Sequence, residues 1–317
     1  MAPHNGSFYT LTVSDDEAPL RIDIFLAQRL SDYSRSYFKK LFADGHIIVN
    51  DKPVTKSGLI LKEGDIVSLT IPKPMPLVGR PVPDTLTIPI IFEHPDFLII
   101  NKPAGLNVHA APSVKEDYTL VDWLIQQFKE LKNVGEHDRP GIVHRLDKNT
   151  SGLMIIPRNT KAHMIFGDKF RNREIQKTYW ALVKGYPDKS GTIDFPIDRD
   201  PIHRTRMTHG STGPNARQAH TEYETLSYFD DHGDDYALVQ ALPKTGRTHQ
   251  IRVHMNAIGH PIIGDHLYHV ASKKINRQAL HAKGLAFEYE GKAYTFSVNL
   301  PEDMQKLLTA PQVSPLE

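Results

Sequence analysis

The 317-residue chain contains no cysteine. This absence excludes disulfide bonds, a cysteine nucleophile, cysteine-ligated zinc and iron–sulfur clusters. No run of 18 apolar residues occurs, so the sequence predicts no membrane-spanning helix and no membrane partner. The first residues lack a basic segment leading into an apolar stretch, which argues against a secretory signal. Together these absences predict a cytoplasmic, reducing location.

A strong net charge is also missing, because 38 Lys and Arg face 37 Asp and Glu. The distribution is nevertheless uneven. Residues 139–177 hold nine Lys or Arg against three Asp or Glu, a net charge of +6, whereas residues 222–235 hold six acids and no Lys or Arg. A positive zone in a nearly neutral protein suits a polyanionic partner. A solvated basic face is the alternative, and charge alone favours that alternative.

A chain of this length predicts about two domains. Six prolines fall within residues 72–89, and proline fixes its own backbone and lacks an N–H donor, so this stretch is predicted to be a stiff linker. Residues 18–71 form the predicted N-terminal domain, with two helices and a small sheet. Ser34 is the predicted N-cap of the second helix, and Gly45 is predicted to end it. Residues 90–305 form the predicted larger domain.

In the larger domain, short apolar runs predict strands at residues 97–100, 153–156 and 178–183. Thr119 and Thr248 are predicted N-caps of two helices, the second of which ends at Gly259. The strands are not separated by regular helical crossovers. The sequence therefore predicts an α+β fold with a mixed, mostly antiparallel sheet.

Three segments concentrate polar residues that could carry chemistry: Gly141-Ile-Val-His-Arg-Leu-Asp-Lys-Asn-Thr-Ser-Gly152, Lys177-Thr-Tyr-Trp180 and Thr245-Gly-Arg-Thr-His-Gln-Ile-Arg-Val-His-Met255. The first segment places Asp147 in a glycine-bounded loop beside Arg145 and Lys148. Nearby positive charge keeps a carboxylate ionised, as a nucleophile or base requires. Without further information, an aspartate that organises a turn is the favoured interpretation.

In this order, the segments resemble the motifs of the RNA pseudouridine synthases of the large-subunit ribosomal RNA type, most closely their D branch. Asn101-Lys-Pro-Ala-Gly105 and Arg277-Gln-Ala-Leu-His281 fit the same pattern. Residues 20–71 resemble the small αL RNA-binding domain of a ribosomal protein, and residues 88–300 resemble the catalytic domain. The resemblance implies an α+β enzyme that isomerises uridines in RNA, with ribosomal RNA as the favoured partner. It implies no metal or other cofactor, and we expect a monomer.

The resemblance also implies roles for single residues. Asp147 corresponds to the aspartate that attacks the target nucleoside, and Arg252 to the arginine paired with it, for which we expect a bidentate contact. Tyr179 corresponds to the tyrosine that stacks on the flipped uracil and assists removal of its ring proton. Arg145 corresponds to the arginine that enters the RNA stack, since chemistry on a base requires its extrusion. The remaining predicted RNA contacts are His144, Lys148, Arg171, Arg173 and Arg247.

Other functions stay open. One is an RNA-binding ribosome-assembly factor with little catalysis, although binding alone needs no triplet of Asp147, Tyr179 and Arg252. Another is a nucleoside glycosidase, although glycosidases use a second carboxylate and none accompanies Asp147 in its motif. Transfer RNA is the alternative substrate.

Structural roles are the plainer alternatives for single residues. Tyr179 lies in an alternating segment and could be packed in a core, and Arg252 could form a surface ion pair worth about 0–1 kcal/mol. His144, His249 and His254 suggest a metal site. We favour hydrogen bonds for them, because a chain with 17 histidines contains clusters by chance.

Overall fold

The computed structural model describes residues 7–30, 33, 35–72, 79–110, 118–136, 139–203, 205–210, 213, 215–269 and 272–314. The chain divides into two compact units, Met1–Val78 and Gly79–Glu317. Within the described ranges, no helix is both long enough and apolar enough to cross a lipid bilayer.

The first unit combines two helices with a small sheet. Its elements are β1 (Phe8–Thr12), α1 (Ile22–Arg29), α2 (Arg35–Ala43), β2 (Ile47–Val49), β3 (Lys52–Pro53) and β4 (Ile66–Thr70). The strands are antiparallel in the order β1-β4-β2-β3. Phe25 and Phe38 of the helices share one core with Val67 and Leu69 of β4. The predicted start at residue 18 leaves out β1, which pairs with β4 along its whole length.

Helix α2 ends at the predicted glycine. Gly45 has a φ of 74°. The N–H groups of Gly45 and His46 donate to the carbonyls of Phe42 and Leu41, at 3.3 and 2.9 Å. These two hydrogen bonds satisfy carbonyls that the end of a helix otherwise leaves without a partner. The arrangement requires one residue in the left-handed conformation, here Gly45. Ser34, the predicted N-cap, lies outside the described residues.

The second unit is built around one large sheet. Its elements are β5 (Ile90–Glu93), β6 (Phe97–Lys102), α3 (Leu120–Gln127), β7 (Ser151–Pro157), α4 (Thr160–Arg171), β8 (Gln176–Lys184), β9 (Ser190–Ile193), β10 (Ile197–Arg199), β11 (Met207–His209), β12 (Thr221–Asp230), β13 (Asp235–Pro243), α5 (Gln250–Ala257), β14 (Leu280–Tyr289), β15 (Lys292–Ser297), α6 (Glu302–Gln305) and β16 (Gln312–Val313).

The strand order of this sheet is β16-β12-β13-β8-β14-β7-β6-β5, with β9 joined to β12 and β15 to β14. Among the described strands, β7 and β14 form the one parallel pair. The prediction of an α+β fold with a mixed, mostly antiparallel sheet is therefore confirmed. Because β16 pairs with β12, the unit extends past residue 305, where the larger domain is predicted to end.

Two helices, α4 and α5, pack on the sheet, and α5 carries residues of the third motif segment. Phe166 of α4 meets Phe97 of β6, with ring centroids 5.2 Å apart. Helix α5 buries Ile251 and Met255 in a separate cluster with strands β8 and β13. Anchored in this way, α5 holds the intervening residue, Arg252, within the protein interior.

Part of the predicted linker packs on the second unit. The N–H of Arg80 donates to the carboxylate of Asp122 at 2.9 Å, and Val82 is buried. Residues 79–89 are therefore not a spacer outside any core, contrary to the prediction for residues 72–89. The proline content fixes the backbone without preventing apolar side chains from being buried.

Helix α5 begins one residue later than predicted. His249, rather than Thr248, occupies the N-cap position, with a left-handed φ of 56° and no capping side-chain bond. The side chain of Gln250 turns back instead and accepts the N–H of Arg247 at 3.0 Å. The helix ends as predicted, at Gly259, whose φ is 85°.

Gly152 of β7 pairs with Ala282 of β14. Its φ is 122°, and a Cβ atom added there would lie 2.3 Å from the carbonyl oxygen of Ala282. No side chain fits at that distance. The last glycine of the first motif is therefore required by strand packing, and it sets where the preceding loop with Asp147 meets the sheet.

Gly152→Ala should destabilise the second unit by at least about 3 kcal/mol, because both φ and space exclude a Cβ. Gly167→Ala is the matched control. Gly167 lies inside α4 with nothing within 4 Å of the added Cβ, so alanine should stabilise by about 0.5–1 kcal/mol. Urea unfolding measures both changes. Equal stability of the Gly152→Ala variant and the wild type would contradict the packing argument.

Candidate active site

The three motif segments meet in a cleft of about 540 Å³. The loop before β7, the end of α4, the start of β8 and the residues leading into α5 all line it. Its described lining contains seven Lys or Arg and one carboxylate, that of Asp147. A concave site with few convergent polar groups and this charge pattern suits an anionic ligand.

Arg252 holds Asp147 in the cleft through a single bond. Its Nη1 donates to Oδ2 of Asp147 at 2.9 Å. Its Nε and Nη2 donate to the two carboxylate oxygens of Asp265, at 2.7 and 2.8 Å. The bidentate contact expected for Asp147 is therefore made by Asp265. That contact fixes the plane of the guanidinium, so that the remaining N–H points at Asp147.

The pair formed by Arg252 and Asp265 is buried, with 4% and 1% of the residues exposed. Burial lowers the pKa of Arg252, but the hydrogen bonds and charges of Asp265 and Asp147 outweigh it and raise the pKa above its ordinary value. Arg252 therefore stays charged. A surface ion pair, the alternative suggested by its helical position, is wrong.

The ring of Tyr268 packs against the guanidinium of Arg252, whose Cζ lies 5.2 Å from the ring centroid. The Tyr268 hydroxyl accepts the N–H of Met207 at 2.8 Å and lies 2.9 Å from Nδ1 of His249. Nε2 of His249 is 3.9 Å from Oδ2 of Asp147. Burial lowers the pKa of His249, so a neutral ring forms this wall of the cleft.

Lys102 supports the Asp147 loop from inside the protein. It is fully buried, and its Nζ donates to the carbonyls of Pro103, Leu106 and Lys148 at 2.7, 2.9 and 3.0 Å. Burial lowers its pKa to about 7 despite the opposing charge of Asp147. The lysine thereby ties the end of β6 to the backbone directly after Asp147.

Tyr179 lines the cleft from β8, where it pairs with Ala241 and Ala282 of the neighbouring strands. Its side chain packs on the core but is partly exposed, so it is not simply a core tyrosine. Burial, and then the negative charge of Asp147, raise the pKa of Tyr179 above its ordinary value. The side chain is therefore a neutral phenol.

The predicted RNA contacts of the first motif have different surroundings. His144 stacks on Phe170, with centroids 4.4 Å apart, and its Nε2 accepts the N–H of Ile155 at 2.9 Å. Burial lowers its pKa to about 3. His144 thus packs within the cleft lining, and its predicted RNA contact stays a prediction. Arg145 is exposed in the cleft lining, whereas Lys148 is exposed outside it.

The +6 zone of the sequence is not one basic face. Five of its nine cations pair with carboxylates: Arg139 with Glu136, Arg158 with Glu93 and Glu130, Lys161 with Glu290, Lys169 with Glu174, and Arg171 with Asp168. Five of the six predicted RNA contacts nevertheless line the cleft: His144, Arg145, Arg171, Arg173 and Arg247.

The histidines of the motifs make hydrogen bonds with separate partners. His254 bonds through Nδ1 to the hydroxyl of Thr221 and through Nε2 to the carbonyl of Phe195, at 2.9 and 3.0 Å. In the part of the chain that the structure describes, no three His, Asp or Glu side chains are grouped as metal ligands would be.

Sequence reasoning missed Asp265, Tyr268 and Lys102 as parts of the site. Asp265 and Tyr268 follow α5 in a turn with no periodic pattern, and their partners lie elsewhere in the sequence. The sequence gives little indication that Lys102 is buried, because a lysine two residues after the buried run at residues 97–100 is expected to be exposed. Its three carbonyl partners explain how it is buried.

Asp265→Asn should lower the free energy of unfolding by about 3–5 kcal/mol, because it breaks a buried ion pair and leaves Arg252 undercompensated. Asp147→Asn should lower it by less than about 1 kcal/mol, since Arg252 keeps both bonds to Asp265. Urea unfolding of the two variants measures the difference. Equal losses would show that Asp265 is not the principal partner of Arg252.

Two family models match the chain. The model described as RNA pseudouridylate synthase matches residues 96–257, and the S4 domain model matches residues 20–67. The first match covers all three motif segments and every described residue of the cleft lining except Leu280. The resemblance drawn from the sequence is confirmed.

An uncharacterized RNA pseudouridine synthase of Aquifex aeolicus is 41% identical over 83% of this chain and 81% of its own length. Ribosomal large subunit pseudouridine synthase D of Escherichia coli is 33% identical over 94% of this chain and 93% of its own. The structure of human RNA pseudouridylate synthase domain containing 1 covers 72% of this chain and 97% of its own, with a TM-score of 0.57 and 26% identity. The chain therefore belongs to the RNA pseudouridine synthase family and is an RNA-modifying isomerase.

Proposed function

We propose that Asp147 is the nucleophile of this enzyme and that the cleft receives a uridine flipped out of its RNA. The observation that carries the proposal is the bond from the buried guanidinium of Arg252 to Asp147. A carboxylate held by a fixed cation stays ionised and keeps one orientation. Both properties are what a nucleophile in a preorganised site requires.

The reaction conserves every atom of the substrate. The bond between ribose C1′ and uracil N1 breaks, a bond between C1′ and C5 forms, and the proton on C5 moves to N1 by way of a base. No electrons are lost or gained, so the reaction needs no redox partner. The residues must start bond breaking, hold the free uracil while it rotates, and accept one proton.

Asp147 carries the first of these tasks in the proposed mechanism, and Tyr179 the second. A neutral phenol packs its ring on the uracil and excludes water. Its raised pKa makes Tyr179 a weak candidate for accepting the C5 proton. Asp147 is the sole carboxylate in the described cleft lining, which favours it as the proton acceptor once it is released from the substrate.

Arg145 fills the space that the flipped uridine leaves. Extruding a base costs a few kcal/mol in lost stacking, and a side chain inserted in its place recovers part of that energy. Arg145 is exposed in the cleft lining, two residues before Asp147, and its Nη1 lies 3.4 Å from Nε2 of His109. A guanidinium is planar and stacks on bases.

The proposed substrate is large-subunit ribosomal RNA. Relatives from Zymomonas mobilis, Yersinia pestis and Escherichia coli carry the name ribosomal large subunit pseudouridine synthase D, and each is 33–34% identical over 94–96% of this chain. The S4 match at residues 20–67 supports a second RNA contact. The proposal includes a cytoplasmic monomer, as the sequence predicts.

A strain lacking this gene should lose specific pseudouridines from its large-subunit ribosomal RNA. The wild-type gene should restore them, and Asp147→Asn should not, because the amide keeps the shape but lacks the charge. Asp188→Asn, an exposed aspartate outside the cleft, is the control and should restore them fully. Sequencing of pseudouridines in ribosomal and transfer RNA measures this. If pseudouridines are lost only from transfer RNA, the proposed substrate is wrong. If the Asp147→Asn gene restores them in ribosomal RNA, Asp147 is not the nucleophile.

Arg145→Ala should impair base flipping, whereas Arg171→Ala should leave flipping intact, because Arg171 lies at the helix end and pairs with Asp168. The measurement is 2-aminopurine fluorescence beside the mapped uridine in a ribosomal RNA fragment. Normal flipping by both variants would mean that Arg145 contacts phosphates instead of entering the stack.

A further inference from the structure

Three cations of the cleft differ from the rest. Among the seven in its lining, Arg252, Arg171 and Lys244 form ion pairs with carboxylates, and Arg145 faces His109. In the described part of the chain, Arg173, Lys177 and Arg247 have no carboxylate within ion-pair distance.

The hydrogen bonds of Lys177 and Arg247 go to backbone carbonyls and leave their charges uncompensated. Nζ of Lys177 donates to the carbonyl of Thr245 at 3.1 Å, and Nε of Arg247 donates to the carbonyl of Gln218 at 3.1 Å. Carbonyls orient the side chains without neutralising them. All three side chains line the same cleft. Burial and then the charge of Arg173 lower the pKa of Lys177 to about 8.

The backbone at Arg173 is strained. Helix α4 ends with the same pair of hydrogen bonds as α2. The N–H of Glu174 donates to the carbonyl of Lys169 at 2.9 Å, and the N–H of Arg173 donates to the carbonyl of Phe170 at 3.3 Å. The left-handed position, which glycine usually occupies, holds Arg173 with a φ of 64°. A non-glycine residue there is unfavourable, and such strain gathers at functional sites. Folding alone would favour glycine.

We propose that Arg173, Lys177 and Arg247 form a binding site for a backbone phosphate of the RNA beside the target nucleoside. The inference rests on the proposed function, because the cleft must be the one that receives the uridine. Uracil and ribose are uncharged and cannot balance three gathered cations, whereas each phosphodiester carries a full negative charge. Guanidinium and ammonium groups are the usual protein ligands of phosphate.

Arg173→Gly tests the site, because it removes the cation and relieves the backbone. The probe is an in vitro transcript of large-subunit ribosomal RNA, and binding is measured over a range of salt concentrations. The variant should bind several-fold more weakly at low salt, with a salt slope shallower by about 0.7–0.9 for one lost phosphate contact. Its thermal midpoint should equal or exceed that of the wild type.

His232→Gly is the matched control. His232 also has a positive φ, 58°, and is exposed in the hairpin between β12 and β13, outside the cleft. Its variant gains the same backbone relief and should bind the transcript with wild-type affinity and slope. Lys177→Met is the second test variant, since it keeps the apolar stem, removes the charge and should also flatten the slope.

Unchanged affinity, or weaker binding with an unchanged salt slope, in Arg173→Gly would overturn the proposal. If Arg173→Gly unfolds more readily than the wild type, Lys177→Met decides the question by the same criterion. The binding assay does not depend on turnover. It can therefore fail while Asp147→Asn still proves inactive, and the failure of the phosphate site is distinguishable from failure of the proposed nucleophile.

Discussion

The ion pair between Arg252 and Asp265 is the interaction on which the site depends. Burying two charges is unfavourable unless their hydrogen bonds are well made, and here both carboxylate oxygens of Asp265 accept from the guanidinium. The bidentate geometry leaves one N–H direction, and Asp147 lies along it. A single arginine therefore contacts both Asp265 and Asp147, the proposed nucleophile, and fixes the orientation of the latter, which a lysine in its place could not do.

The fold brings the partners of this interaction together from distant parts of the chain. Asp147 and Arg252 are 105 residues apart. The apolar face of helix α5 packs on β8 and β13. The Asp147 loop is fixed by Gly152, where β7 pairs with β14. Lys102 adds a third attachment through its carbonyl contacts. A rigid sheet thus supports the proposed catalytic groups, which lie on loops and helix ends.

The sequence predicts the elements of this architecture better than it predicts the pairing within the site. Apolar spacing and turn residues are local signals, and Thr119, Gly45 and Gly259 act where those signals place them. The partner of a buried charge is set by tertiary packing. From the sequence, the bidentate contact of Arg252 is therefore expected with Asp147, whereas the structure shows it with Asp265. His249 is a further example. The sequence does not indicate its left-handed backbone conformation, and in the structure His249 takes the N-cap position predicted for Thr248.

Charge distribution in the fold explains how a nearly neutral chain presents a positive cleft. Five of the nine cations of residues 139–177 pair with carboxylates, three of them with carboxylates outside that stretch, so its formal +6 does not spread over one face. Arg145, Arg173 and Lys177 of the same stretch line the concave cleft, where surrounding protein of low dielectric strengthens their field. The ion pairs outside the cleft thus contribute little to stability individually. Their larger effect is on the distribution of charge, because they leave the cleft around Asp147 with more positive than negative side chains.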